Sequence, residues 1–283
     1  MTPGAVALQA GLRRGWIEFR HTVTNPGQLV GWLFWPAIAL VVMYFMRDST
    51  VPGTDFSLGT QAVAGILGIN TLFTGLVGLA FTLITDREDG TLLRAKATPN
   101  GMLGYVTGKV LAQAGITVAV LIILLVPVVL LFDGLSIGTV SSWVTLVWVL
   151  ALGMLAILPV GAILGSLFRS TQGLVPIMVL IMALVGVSGV FYPLAALPEW
   201  LQWLAQVFPV YWLGLGLRAA LLPDAMAVAE IGESWRYLEM IGVLGIWGIV
   251  GFLVAPGVLR RMARRESGSA VAARRESVAR RAA

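Results

Sequence analysis

Residues 85–109 concentrate the side chains able to do ionic chemistry. They read Thr-Asp-Arg-Glu-Asp-Gly-Thr-Leu-Leu-Arg-Ala-Lys-Ala-Thr-Pro-Asn-Gly-Met-Leu-Gly-Tyr-Val-Thr-Gly-Lys. Asp86, Glu88 and Asp89 come first, with Arg87 among them; Arg94, Lys96 and Lys109 follow. Acids early and bases late complement the dipole of a short helix. Thr98-Pro99 should end it, because the residue before a proline is pushed out of the α region, and Asn100-Gly101 then supplies a turn. The stretch lies between two long apolar runs. It reads as a charged helix in water that takes up mechanical work from a partner. An ordinary polar loop between spans is the alternative.

Catalytic chemistry has little to work with elsewhere. The 283 residues include no cysteine, which excludes disulfides, thiolate metal sites and thiol catalysis. One histidine leaves no histidine cluster for a metal. No apolar run carries a charge near its centre, whereas proton-driven carriers need intramembrane acids, bases or histidines. Lys109 sits near one end of its run and can snorkel. Paired acids, a serine–lysine pair and a selectivity filter are not visible. Gly108-Lys109 lacks the upstream glycine and following hydroxyl of a phosphate-binding loop. No catalytic, metal or cofactor residue is therefore expected in this chain. If it pumps, its ATP and Mg belong to a separate ATPase chain.

The elements that position the charged stretch are membrane spans. The chain is 58% hydrophobic and 12% charged, about half the charge of a soluble domain. Six spans are expected, near Leu29–Met46, Gln61–Ile84, Tyr105–Phe132, Thr139–Phe168, Leu174–Tyr192 and Leu238–Val258. Each has roughly the 20 apolar residues that a crossing needs. Residues 1–28 do not read as a secretory signal. Residues 5–21 instead suggest an amphipathic helix lying on the membrane surface, with Ala5, Leu8, Leu12, Trp16 and Phe19 on its apolar face. Arg13, Arg14, Glu18, Arg20 and His21 lie elsewhere on it, and Asn25-Pro26-Gly27 breaks it before the first span. A partly ordered basic tail is the alternative.

Orientation follows the bases. With the N-terminus inside, 16 of the 19 bases fall in inner segments; only Arg47, Arg218 and Arg236 lie outside. Both termini and the charged loop are then cytoplasmic. The tail from Arg260 onward repeats Ala-Arg-Arg-Glu-Ser at 263–267 and 273–277. Contact with anionic lipid and a disordered topological anchor are both open for it. Three regions result: the cytoplasmic helix 1–28, a six-span body 29–258 and a basic tail 259–283.

The connection from Pro193 to Leu222 is apolar yet split by Pro198, Pro209 and Pro223. It reads as two half-helices entering the membrane from outside, the second carrying Arg218. Such broken backbone needs protein or a wet cavity around it. The alternative is an amphipathic pair lying on the outer surface. Gly161-x-x-x-Gly165 in the fourth span, and Gly242, Gly245, Gly248 and Gly251 in the sixth, indicate close helix packing. Asn70, Thr71 and Thr74 sit midway along the second span, as pathway lining or as interhelical hydrogen bonders.

These residues carry a resemblance. Asp86-Arg-Glu-Asp-Gly-Thr-Leu92, Ala97-Thr-Pro99 and Gly108-Lys-Val-Leu111 resemble the loop after the second span in permease subunits of type-2 ATP-binding-cassette exporters. Ser188-Gly-Val-Phe-Tyr-Pro193, Leu197-Pro-Glu-Trp200 and Phe208-Pro209 followed by Arg218 resemble that family's stretch after the fifth span. The likeness is greatest to the bacterial daunorubicin/doxorubicin-resistance-like branch and covers Gly11 to about Val258. Tyr211-Trp212 departs from the more polar residues often found there.

The resemblance implies an all-α membrane fold with an N-terminal interface helix (Arg13, Trp16, Phe19, Arg20), six spans and a short coupling helix. Asp86, Arg87, Glu88, Asp89, Gly90, Thr91, Leu92, Arg94 and Pro99 would meet the ATPase. Phe191, Tyr192, Pro193, Pro198, Trp200, Pro209 and Arg218 would shape an outer gate. Expected partners are two ATPase subunits, a second permease copy or a related one, and membrane lipids; nucleic acid is not expected. The implied activity is ATP-driven export of a drug, lipid or glycolipid from the plasma membrane of a bacterium. A stand-alone carrier or channel, or a non-transporting anchor for an ATPase, is the rival reading.

Overall fold

The computed structural model describes residues 3–49, 57–98, 100–168, 170–189, 194 and 197–265. All regular elements among them are helical. Helix α1 (Pro3–Thr24) stops at Asn25, whose side chain accepts the Gly27 and Gln28 amides and so caps α2 (Pro26–Phe45). Pro26 fits the first turn because its missing N–H would be unpaired there anyway. The second span is continuous over Gly59–Glu88 but not uniform. It runs as α3 (Leu58–Leu72), a π-helical turn over Phe73–Val77, and α4 (Gly78–Glu88). A six-residue helix, α5 (Thr91–Lys96), leads to α6 (Gly101–Leu131). Helix α7 (Val140–Leu167) is capped by the Thr139 hydroxyl.

Five helices are long and apolar enough to cross a membrane, or six if one bent pair counts as a single span. The fifth expected span, Leu174–Tyr192, is shorter than the sequence indicates. A 3-10 turn at Thr171–Leu174 and α8 (Val175–Gly186) form one apolar piece, and Val187–Gly189 turn away from it. This piece follows α7 in the chain. It starts beside Phe168, whose carbonyl is held by Arg87; the chain later reaches Leu221, whose carbonyl accepts the Ser136 amide beyond the other end of α6.

The bent pair is α9 (Glu199–Val207) and α10 (Pro209–Leu221), meeting at 89°. Pro198 is the residue just before α9. Helix α9 leaves Trp200, Trp203 and Val207 exposed, whereas all 13 residues of α10 are buried. Of the two helices only α9 has an outward face. Two 3-10 turns, Asp224–Ala229 and Ile231–Glu233, precede α11 (Tyr237–Arg265). That helix continues past the expected end at Val258, burying Leu259, Met262 and Ala263.

Small residues set the helix spacing. A Cβ on Gly161 would meet the Leu76 carbonyl, and one on Gly165 would come 2.8 Å from the Ala80 carbonyl, so this pair seats α7 on the second span. Gly248 and Gly251 face Leu155 and Pro159 of α7, while Gly242 and Gly245 face open space. The glycine repeat in α11 is thus half packing face, half outward face.

Candidate functional site

The charged stretch forms a corner, and its acids are placed differently from the expectation. Asp86, Arg87 and Glu88 belong to α4, the end of the second span, and Asp89 is its C-cap. None lies in the first turn of the short helix. Gly90 turns the chain with φ 82°, a value that disfavours a side chain. The Asp89 carboxylate then accepts the Thr91 amide at 2.7 Å, opening α5. Arg94 donates to the Thr91 hydroxyl at 2.8 Å, and Thr98 donates to the Ala95 carbonyl, closing the other end. Pro99 lies outside the described residues.

This corner has two sides. Leu92 and Ala95 are buried with Leu79 and Leu83 of α4, Tyr105 of α6, Leu158 and Ala162 of α7, and Ala255, Leu259 and Met262 of α11. Glu88, Asp89, Arg94 and Lys96 are exposed. Of the expected docking set, Gly90, Thr91 and Leu92 therefore hold the corner to the bundle. Asp86 and Arg87 are buried too. Arg87 donates to the Phe168 carbonyl at 2.8 Å and the Ser166 carbonyl at 2.9 Å. A cation there meets the negative end of α7, where the last carbonyls lack helical partners.

Asp86 joins a second ionic contact. Lys109, only 6% exposed, places Nζ 2.8 Å from Asp86 Oδ2 and 2.6 Å from Glu18 Oε1. Its ammonium links α1, α4 and α6 instead of snorkelling alone. Arg14 lies over the Tyr105 ring at 5.5 Å.

Helix α1 leaves most of its apolar face outward and packs on the bundle through a different face. Leu8, Leu12 and Trp16 are exposed, as are Arg13 and Arg20. The buried positions are Ala7, Gly11, Gly15 and Thr22. Gly11 and Gly15 lie against Gly104 and Gly108 of α6; a Cβ on Gly15 would come 2.6 Å from the Gly108 carbonyl. Phe19, half-buried, lies beside Gly115. The spacing Gly11-x-x-x-Gly15 opposite Gly104-x-x-x-Gly108 was the available signal, since small residues let membrane helices approach closely.

The midspan polar residues are interior to the chain. Asn70, Thr71 and Thr74 are all buried. Thr71 donates to the Leu67 carbonyl one turn back. The π turn frees the Thr74 carbonyl, which accepts Gln113 Nε2 at 2.6 Å. Gln113 is a further functional candidate, since π turns concentrate at functional sites.

At the opposite end, Arg218 is 1% exposed and pairs with Glu230, Nε to Oε1 at 2.6 Å and a second guanidinium nitrogen to Oε2 at 3.2 Å. The sequence indicates that this base needs a partner; the partner comes from the loop after α10. Trp200 is exposed, Pro209 opens α10, and Phe191, Tyr192 and Pro193 lie outside the described residues. Arg236 donates to Gln206 Oε1 at 2.6 Å and stacks over Trp212 at 4.9 Å, fixing the α9–α10 bend to the start of α11. Among the described residues no cluster of His, Cys, Asp or Glu is arranged to hold a metal ion.

A multi-helix membrane bundle with a docked charged corner invites comparison with known families. Residues 37–255 match the family model described as ABC-2 family transporter protein. The chain belongs to the ABC-2 transporter family. The match starts within α2 and ends within α11, so it takes in the corner, the π turn and the α9–α10 bend. No curated protein matches the chain. As a member of this family the chain is a multi-pass ABC transporter permease subunit, a class that associates with ABC ATPase subunits.

Proposed function

We propose that this ABC-2 permease is the membrane half of an ATP-driven exporter and that residues 86–98 form its ATPase-coupling corner in the cytoplasm. The observation that carries the reading is the division of that corner. Its apolar side is fixed among α4, α6, α7 and α11, while Glu88, Asp89, Arg94 and Lys96 point outward. A rigidly seated, charged projection suits force transfer from a docked subunit better than a loose loop does.

In this reading both termini are cytoplasmic, the membrane is the plasma membrane of a bacterium, and α8 makes the fifth of six crossings. Two ATPase subunits bind ATP and Mg and perform all hydrolysis. Two permease copies, identical or related, enclose the path. The bend between α9 and α10, with Pro198, Trp200, Pro209 and Arg218 and the adjoining Phe191, Tyr192 and Pro193, forms the outer gate. The cargo in this reading is hydrophobic or amphipathic, such as a drug, lipid or glycolipid, in line with the daunorubicin-like branch.

The test is Glu88→Arg combined with Asp89→Arg. Membrane insertion is expected to be unchanged while copurifying ATPase is lost or efflux ceases. Unchanged copurification together with unchanged efflux contradicts the assignment. Solute movement by the purified chain without any ATPase favours a stand-alone carrier instead.

A further inference from the structure

The Glu18–Lys109–Asp86 contact lies beyond the corner's outward face, and nothing in the family match assigns it a role. We propose that Lys109 is a positioning residue that makes α1 move as one body with the coupling corner. This rests on the proposed coupling role of residues 86–98.

The argument is geometric. Glycine packing between α1 and α6 holds the two helices close, but contacts between bare backbones do not by themselves fix how far one slides along the other. An ammonium shared by two carboxylates does. Lys109 lies 2.6 Å from Glu18 on α1 and 2.8 Å from Asp86 on α4. Lys109 is 6% exposed and Asp86 11%, so water screens that contact little, while Glu18, at 29%, is partly open to water. Asp86 is followed at once by Arg87, anchored to the end of α7. Three residues after Asp86, Asp89 caps α5. A displacement of α5 reaches residues 86–89 through the turn at Gly90, and Lys109 hands it to α1. The exposed face of α1 carries Leu8, Leu12 and Trp16, so the membrane surface it meets becomes part of the load on the corner.

The chain has no cysteine, so a spin-label pair can be introduced without background. Ala10→Cys on α1 and Ala97→Cys beyond α5 are both at exposed positions. In the purified full-length permease, the parent pair should give one narrow distance distribution. Lys109→Met should broaden it into more than one population. Lys109→Arg should restore the parent distribution, and so should the swap Lys109→Glu with Glu18→Lys and Asp86→Lys. If Lys109→Met does not accumulate in the membrane, Glu18→Gln takes its place with the same expected broadening. An unchanged distribution in the neutral variant, or a swap as broad as that variant, overturns the proposal.

The second arm uses the permease reconstituted with its ATPase. Lys109→Met should lower kcat for ATP by about tenfold, with KM and ATPase copurification unchanged. Unchanged kcat alongside a broadened distance reduces Lys109 to a structural tie and overturns the coupling role. If no ATPase copurifies with the parent, the coupling reading fails, and the spin-label arm still decides whether Lys109 joins α1 to the corner.

Discussion

Replacing Arg218 by methionine should cost far more than losing a surface charge. The guanidinium is 1% exposed and the Glu230 side chain 3%, with two nitrogens at 2.6 and 3.2 Å from the carboxylate oxygens. Removing one member leaves the other as an uncompensated buried charge. That typically destabilises by about 3–5 kcal/mol. Replacing both removes the stranded charge. The double variant Arg218→Met with Glu230→Leu should therefore be more stable than either Arg218→Met or Glu230→Leu alone, and it can approach the parent. One guanidinium nitrogen, Nη1, has no hydrogen-bond partner among the described residues, which places the pair itself short of full satisfaction.

The assay is denaturant unfolding in mixed micelles, followed by tryptophan fluorescence. Trp235, whose indole donates to Asp224 at 3.0 Å in the same loop, lies close enough to report local loss of structure. Single variants that each cost less than about 1 kcal/mol, or a double variant equal to their sum, would refute the reasoning, because contacting pairs are non-additive. Transport is expected to fall with the single variants even at temperatures where the protein remains folded, since the pair ties the loop after α10 to α10 itself.

Two further outcomes follow from packing. Gly104→Val should detach α1, because a Cβ there runs into the Ala7 backbone carbonyl; faster tryptic cleavage at Arg13 and Arg14 reports it, and Gly242→Val, facing open space, is the matched control. Gln113→Leu should strip the Thr74 carbonyl of its donor and destabilise by about 1–3 kcal/mol, with faster amide exchange across Phe73–Val77 as its local signature.

Span positions and breaks were legible because they rest on strong local signals. Asn25-Pro26 separates α1 from α2, and Phe208-Pro209 places the sharp bend between α9 and α10. The face of α1 that packs on α6 was not legible from apolar periodicity, because it is a glycine face. In water an apolar stripe seeks the core, but against lipid it can face outward while glycines face inward. Leu12 and Trp16 followed the second rule. The acids of the corner were misplaced because charge order alone does not show where one helix stops: α4 runs through Glu88, and Gly90 makes the turn. Arg87 and Lys109 looked like surface bases, since their partners are the end of α7 and a carboxylate 91 residues away in sequence. No local pattern encodes contacts of that range. The fifth span ended early because apolar composition continues beyond Gly186 while the helix does not.

The central claim, that force reaches this bundle through the corner at residues 86–98, is tested most directly by a single cysteine at Glu88. Trp200→Cys, exposed on α9, is the companion site. In intact cells an impermeant thiol reagent should label position 200 and not 88, while a short crosslinker in the membrane fraction should join position 88 to the nucleotide-hydrolysing subunit. Labelling of position 88 from outside, or no crosslink to that subunit with or without nucleotide, contradicts the account.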